Sequence, residues 1–290
     1  MIEIPYADIL TADHQALITT IPNLSTKGGW RLAALHARPA YSFAWITRGQ
    51  GHMTVGGTAR GLTLNSVIYI PAGMVHALSF SQGAQGYFAA LPDNLPLAMP
   101  AHPALIKATS VFDQSQITSY FEQIATEARN AGPGSEQVIE SYATLLGVWI
   151  ERNQHRNDWM DGRASGKAAA LVEKFLNRLE VGFHRSHRVE DYAQDLGITS
   201  THLTRLCQER LGKPASGLIQ ERALHEAKRC LRGSPVAVAE IAKGLGYSSP
   251  AYFTRAFQNA TGLSPRAFRK AGDAALFRRA RRLPPSGQRR

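Results

Sequence analysis

Two tripeptides fifty residues apart, Leu203-Thr204-Arg205 and Phe253-Thr254-Arg255, carry side chains suited to reading a nucleic-acid duplex. An arginine can donate two parallel hydrogen bonds to one guanine or clamp a phosphate, and a threonine can meet a thymine methyl or a phosphate oxygen. Apolar residues recur around each tripeptide at helical spacing: Leu203, Leu206 and Cys207 in the first, Phe253, Ala256 and Phe257 in the second. That spacing turns Ser200, Thr201, His202, Thr204 and Arg205 outward on one helix. On the other it leaves Ser249 as the cap and Ala251, Tyr252, Thr254, Arg255 and Asn259 free to touch DNA. One such helix could be an ordinary solvated face; two in a basic stretch point to a DNA contact.

A second group of candidates lies in the first third of the chain. His36 and His76 are two imidazoles with no further anionic or neutral ligand in the pattern, a poor set for a catalytic divalent metal. We therefore expect no metal and no cofactor. No Ser-His-Asp or Cys-His arrangement stands out, so no catalytic residue is assigned and an enzyme is not expected. Arg38 could instead hold a carboxylate by a two-point contact. Together with His36, His76 and the aromatic residues Tyr41, Phe43, Trp45 and Tyr69, it would form a pocket for a small effector, an aromatic acid for instance. Trp30 and Tyr87 are further candidates for its walls.

These residues need particular elements to position them. Tyr192-Ala193 and Leu196-Gly197 correspond to Ile241-Ala242 and Leu245-Gly246 at an offset of 49, and Gln208 and Gly212 match Gln258 and Gly262 at an offset of 50. One supersecondary unit is used twice. Each copy reads as helix, glycine turn, helix, at about 189–210 and 238–260, with Thr199 and then Ser249-Pro250 opening the second helix of each. Such a motif sets its second helix in the major groove. Between the copies, 215–233 carries a stripe of Leu218, Ile219, Ala223, Ala227, Cys230 and Leu231, a connecting rod whose length suits a spacing of one DNA turn.

Upstream, short alternating runs between about Trp30 and Leu91, broken by glycine and proline, predict the strands of an all-β unit, with Gly56-Gly57 at a hairpin. Residues 117–130 and 136–154 have helical spacing and predict a helical hairpin, followed by a polar linker over 156–167. The fold class is multidomain α+β. The expected division is a sensor at 1–95, a helical segment at 96–160, a DNA-binding domain at 168–271 and a basic tail at 272–290.

Charge agrees with that division. Of the formal net charge of +11, residues 1–163 hold 10 Lys+Arg against 12 Asp+Glu, and residues 164–290 hold 23 against 10. A basic half joined to a near-neutral one implies a polyanionic partner for the second half. Two distant cysteines make no disulfide framework. The opening MIEIPYADIL lacks a signal-peptide pattern, and no apolar run is long enough to span a membrane. A cytoplasmic protein with no membrane partner is expected.

At these residues the pattern becomes specific. The run IA-x3-GY-x5-F-x-RAF-x4-G-x-SPRAFR from Ile241 to Arg269, the A-x3-G of both turns and the ERALHEAKRCL of the rod resemble the DNA-binding domain of AraC/XylS regulators. Departures are Cys207 at a usually aromatic position and Arg188 at a usual capping position. Upstream, Asn65-SVIYI-Pro71-A-Gly73-MV-His76-ALS-Phe80 and His36-A-Arg38-PAY-Ser42-FAWITR-Gly49 are similar to the two cupin motifs. Arg38 and Ser42 stand where cupins carry a histidine and a glutamate. The resemblance implies a cupin-like β-barrel sensor, a homodimer formed through the helical segment, double-stranded promoter DNA and RNA polymerase as partners, and transcription activation. The alternative is a cupin-type metal-dependent enzyme fused to a DNA-binding domain.

Overall fold

The computed structural model describes residues 17–27, 29–130, 132–157 and 166–271. The basic tail, the opening ten residues and most of the polar linker lie outside the described residues. Strand β1 (Leu17–Thr20) and the short helices α1 (Ile21–Lys27) and α2 (Trp30–Ala33) come first. Six strands follow: β2 (Ala40–Arg48), β3 (Gly51–Val55), β4 (Thr58–Leu62), β5 (Ser66–Ile70), β6 (His76–Phe80) and β7 (Gln85–Pro92). Each matches one of the predicted alternating runs. Strand β8 (Ala104–Lys107) and β1 were not read from the sequence, because four residues carry too little alternation.

The strands form two antiparallel sheets, ordered β1-β7-β2-β5-β8 and β4-β3-β6. This corrects the expected barrel: the sheets do not close on one another. The segment before β2 reaches the small sheet through an isolated bridge between His36 and His76, with no ladder on either side. The Gly56-Gly57 hairpin is as predicted, with Val55 paired to Thr58 and both glycines at positive φ.

Period-2 alternation sorts β2 between two cores. Ala40, Ala44 and Ile46, with Ile68, Ile70, Phe88 and Ala90, face Met53, Val55, Leu62 and Leu78 of the small sheet. Phe43 and Trp45, with Val67, Tyr69, Ala89 and Leu91, face the opposite way. There they meet α3 (Val111–Asn130) and α4 (Ser135–Arg152), through Ile117, Phe121, Ile124, Ala143, Leu146 and Ile150. The arrangement is three layers: small sheet, large sheet, helical hairpin.

An all-helical domain follows: α5 (Lys167–Gly182), α6 (Val189–Asp195), α7 (Ser200–Leu211), α8 (Ala215–Gly233), α9 (Val238–Gly244) and α10 (Pro250–Thr261), with a last helical stretch from residue 265. Its core gathers Phe175, Leu203, Leu206, Leu218, Ile219, Leu231, Ile241, Phe253, Phe257 and Phe268, and it also takes in Leu35 and Val75 from the sheet domain. The two domains therefore share apolar burial. No helix among the described residues is long and apolar enough to cross a membrane.

Candidate nucleic-acid interface

The two repeats fold alike down to their end groups. The Thr199 side chain accepts the His202 backbone N–H at the start of α7, and Ser249 accepts that of Tyr252 at the start of α10, with Pro250 just inside. Each cap satisfies one otherwise orphaned amide and stabilises its helix by about 1 kcal/mol. Arg188 opens α6 without a side-chain cap bond, in line with its being a departure. In its place Ser186 Oγ accepts the Arg188 N–H at 3.0 Å and donates to Asp191 Oδ2.

Inward positions follow the helical period. Leu203, Leu206, Cys207, Phe253 and Phe257 are buried, while Ala256 is half-buried. Phe257 lies 5.7 Å from Phe253 and 5.3 Å from Phe268, and Tyr247 packs edge-on to Phe253 at 5.1 Å. These rings fix α10 against the rest of the second unit. Burial pushes the thiols of Cys207 and Cys230 up to about 12, so both stay protonated and act as packing groups.

The candidate DNA residues fall into exposed and half-buried sets. Thr201, Arg205, Ala251, Tyr252, Arg255 and Asn259 are exposed; Ser200, His202, Thr204, Ser249 and Thr254 are half-buried. Arg205 Nη1 donates to Glu209 Oε1 at 2.9 Å, a pair more than half exposed and therefore easily exchanged for another anion. The position equivalent to Glu209 in the second helix is Asn259, so Arg255 has no such carboxylate four residues on. The Thr254 hydroxyl donates back to the Pro250 carbonyl at 2.8 Å, which commits its proton and leaves its oxygen as an acceptor. Tyr252, Arg255 and Asn259 share a groove of about 870 Å³ with Gln220, Glu221 and Leu224 of α8, and His187 and Tyr247 also line it.

Helix α8 runs over 215–233, as predicted, with every residue of the predicted stripe buried. The stripe also holds Arg222, His225 and Glu226, which were not read from the sequence as buried. Their spacing was the signal: Leu218, Arg222 and His225 share one row, and Ile219, Ala223 and Glu226 the next. Arg222 donates to both carboxylate oxygens of Glu180 at 2.7 and 2.8 Å and to Glu226 at 3.0 Å, and its guanidinium lies 3.9 Å from the Phe183 ring centre. Pairing on three sides is what makes a buried guanidinium tolerable. It ties the rod to α5.

The candidate effector residues are not brought together. Phe43, Trp45 and Tyr69 lie on the outer face of the large sheet, beneath α3 and α4, with Tyr41 packed against that core. Trp45 Nε1 donates to Thr118 Oγ1 at 3.1 Å and the Tyr69 hydroxyl to the Pro100 carbonyl at 2.8 Å. Tyr87 stacks on Phe121 from the same side. His36, Arg38 and His76 sit instead where the sheet domain meets α8, and Trp30 packs there against His225. The expected effector residues thus fall in two places, the aromatic ones against the helical hairpin and Arg38 with the two histidines at the contact with α8. Among the described residues no three His, Cys, Asp or Glu side chains are grouped to hold a metal.

A family model described as a helix-turn-helix domain matches residues 192–271, which hold both capped repeats and the rod between them. Residues 192–271 form a helix-turn-helix domain. The transcriptional activator RhaR of Yersinia pseudotuberculosis is 23% identical over 156 residues, 54% of this chain and 53% of that protein. The transcriptional regulator GlxA of Rhizobium meliloti is 33% identical over 95 residues, 33% of this chain and 29% of that one. The chain thus spans about half the length, or less, of these curated relatives. Both are named as helix-turn-helix-type transcription regulators. A crystal structure of ToxT from Vibrio cholerae O395 aligns over 88% of this chain and 96% of its own, at 12% identity and a TM-score of 0.44, too distant to bear on function.

Proposed function

We propose that this protein is a sequence-specific DNA-binding transcription regulator, reading two adjacent major-groove segments with α7 and α10. One observation carries the reading: two capped helices of the same build, each with an exposed arginine, are joined by a single continuous helix. At about 1.5 Å per residue that helix spans about 28 Å, which with the offsets of the flanking helices suits one DNA turn of about 34 Å. Thr201, Arg205, Tyr252, Arg255 and Asn259 are the exposed members of the reading set. Ala251 is exposed beside them, and the half-buried Ser200, His202, Thr204, Ser249 and Thr254 complete the set.

The finer assignments rest on the sequence and the relatives. RhaR is named as an activator, and this supports activation, with RNA polymerase as the further partner. Exposed Leu145 and Val148, three residues apart on α4, support homodimer formation through the helical hairpin. A sensing role for the sheet domain is supported by its shared core with the helical domain, through which a change in one is felt by the other. We divide the chain accordingly into a sensor at 1–95, a dimerisation segment at 96–160, a DNA-binding domain at 168–271 and a tail at 272–290.

Hydroxyl-radical footprinting of the full chain on the promoter of its own operon tests the reading. Two protected patches about ten base pairs apart on one face of the duplex are expected per protomer. A single patch, or none, overturns it.

A further inference from the structure

Three imidazoles stack across the contact between the sheet domain and α8. His36, in the segment before β2, has its ring centre 5.4 Å from that of His76 on β6 and 4.4 Å from that of His225 on α8. All three residues are buried, at 0%, 1% and 1% exposure. Backbone bonds of 3.1 and 3.0 Å run both ways between His36 and His76, so the first two rings are fixed as a unit.

Their hydrogen bonds define the protons. His36 Nε2 is 2.8 Å from the Arg38 Nε–H and must accept from it, since the guanidinium has only donors. Its proton therefore sits on Nδ1, donated to the Ala34 carbonyl at 2.7 Å. His76 Nδ1 likewise donates to the Met74 carbonyl at 2.8 Å, and His225 Nε2 to that of Arg31 at 3.1 Å. This leaves His76 Nε2 and His225 Nδ1 buried with no hydrogen-bond partner. Each ring is a neutral imidazole with no acceptor waiting for a second proton.

The charges around the stack oppose that proton from every side. Arg38 faces all three rings, and Arg222 and Arg229 face His225 along α8. Lys228 lies over Trp30, whose ring packs on His225. The nearby carboxylates, Glu226 and Glu180, are committed to Arg222, with Arg229 also on Glu226.

We propose that His36, His76 and His225 form a proton-sensitive latch that holds the sheet domain docked on α8 at neutral pH and releases it as the pH falls. Burial first, and the neighbouring cations after it, keep all three rings well below the ordinary histidine value of 6.5, His76 at about 4. The docked state thus binds fewer protons than an undocked one in which the rings meet water. Docking is complete above about 6.5 and is lost as the pH falls from there towards 4. Each histidine freed on opening multiplies the opening constant by up to about tenfold per pH unit in that window. The latch does not depend on the DNA-binding reading, for it concerns only how the domains hold together.

Hydrogen exchange of the full chain at pH 7.5, 6.5 and 5.5, corrected for the intrinsic pH dependence of exchange, tests the latch. Protection in α2 and α8 should fall at least tenfold between pH 6.5 and 5.5, while β2 and β5 keep theirs. Constant protection, or a fall shared equally by β2 and β5, overturns it. His225→Gln keeps a donor for the Arg31 carbonyl but takes up no proton, and should make the pH dependence shallower by about tenfold per unit; an unchanged slope in the folded variant also refutes the idea. Should that variant not fold, histidine ring NMR of the wild type decides, because any of the three rings titrating near 6.5 in the docked protein excludes a latch.

Discussion

Arg205 and Arg255 occupy equivalent places in the two repeats, yet their surroundings differ by one residue. Arg205 is held by Glu209, whereas the same position four residues beyond Arg255 is Asn259. To reach DNA, Arg205 must leave a carboxylate, and that carboxylate then faces the phosphates. An exposed pair of this kind is worth less than about 1 kcal/mol, so the exchange is easy but not free. We expect Arg255→Ala to weaken specific binding by about 1–3 kcal/mol, and Arg205→Ala to weaken it by less. Fluorescence anisotropy titrations against operator and scrambled duplexes measure both losses. Equal affinity of the Arg255 variant for its operator would remove α10 from the reading set.

The turns show why two copies of one motif are not equally tolerant. Gly197 and Gly246 both adopt positive φ, at +67° and +78°. A Cβ on Gly197 would meet nothing within 4 Å, so Gly197→Ala loses only what the left-handed backbone costs, about 1 kcal/mol. A Cβ on Gly246 would lie 2.5 Å from the His184 carbonyl oxygen, which cannot move without shifting the end of α5. Gly246→Ala should therefore cost about 3 kcal/mol or more, the backbone strain plus an overpacking of similar size. Urea denaturation of the two variants gives the comparison; equal losses would mean that α5 yields freely. The second turn is thus locked to α5 and the first is free.

Over the whole molecule, the contact between the domains combines apolar burial with the buried histidines His36, His76 and His225. Leu35 and Val75 join the helical core, and Arg210 at the end of α7 donates to Thr58 Oγ1 at 2.9 Å, beside the Gly56-Gly57 turn. Thr201 and Arg205, proposed to touch DNA, lie before Arg210 on α7 and stay exposed with the sheet domain docked. On the proposed function, the excess of 23 Lys+Arg over 10 Asp+Glu after residue 163 should draw much of the affinity from phosphate contact. If six phosphates are neutralised, raising salt from 50 to 200 mM should lower operator affinity about a thousandfold, with log affinity falling linearly in log salt. A flat salt response would contradict binding to a polyanion.

Much of this was legible in the residues. Alternation gave the six main strands, helical spacing gave the hairpin and rod, and the repeat gave both capped turns, because each signal is a property of neighbours along the chain. Arg222 and His225 were legible in principle from their place on the rod's buried stripe, but a polar residue there is readable as buried only when its partners, Glu180 and the Arg31 carbonyl, are known. Local pattern was enough to specify the two capped helices proposed to read DNA, the rod between them and the basic half that carries them. It took the packed chain to settle which face of β2 met the hairpin, that two sheets stack without closing, and that His36, His76 and His225 meet across the domains. Those are contacts between residues tens to hundreds of positions apart, fixed by which apolar faces find one another, and no local period records that choice.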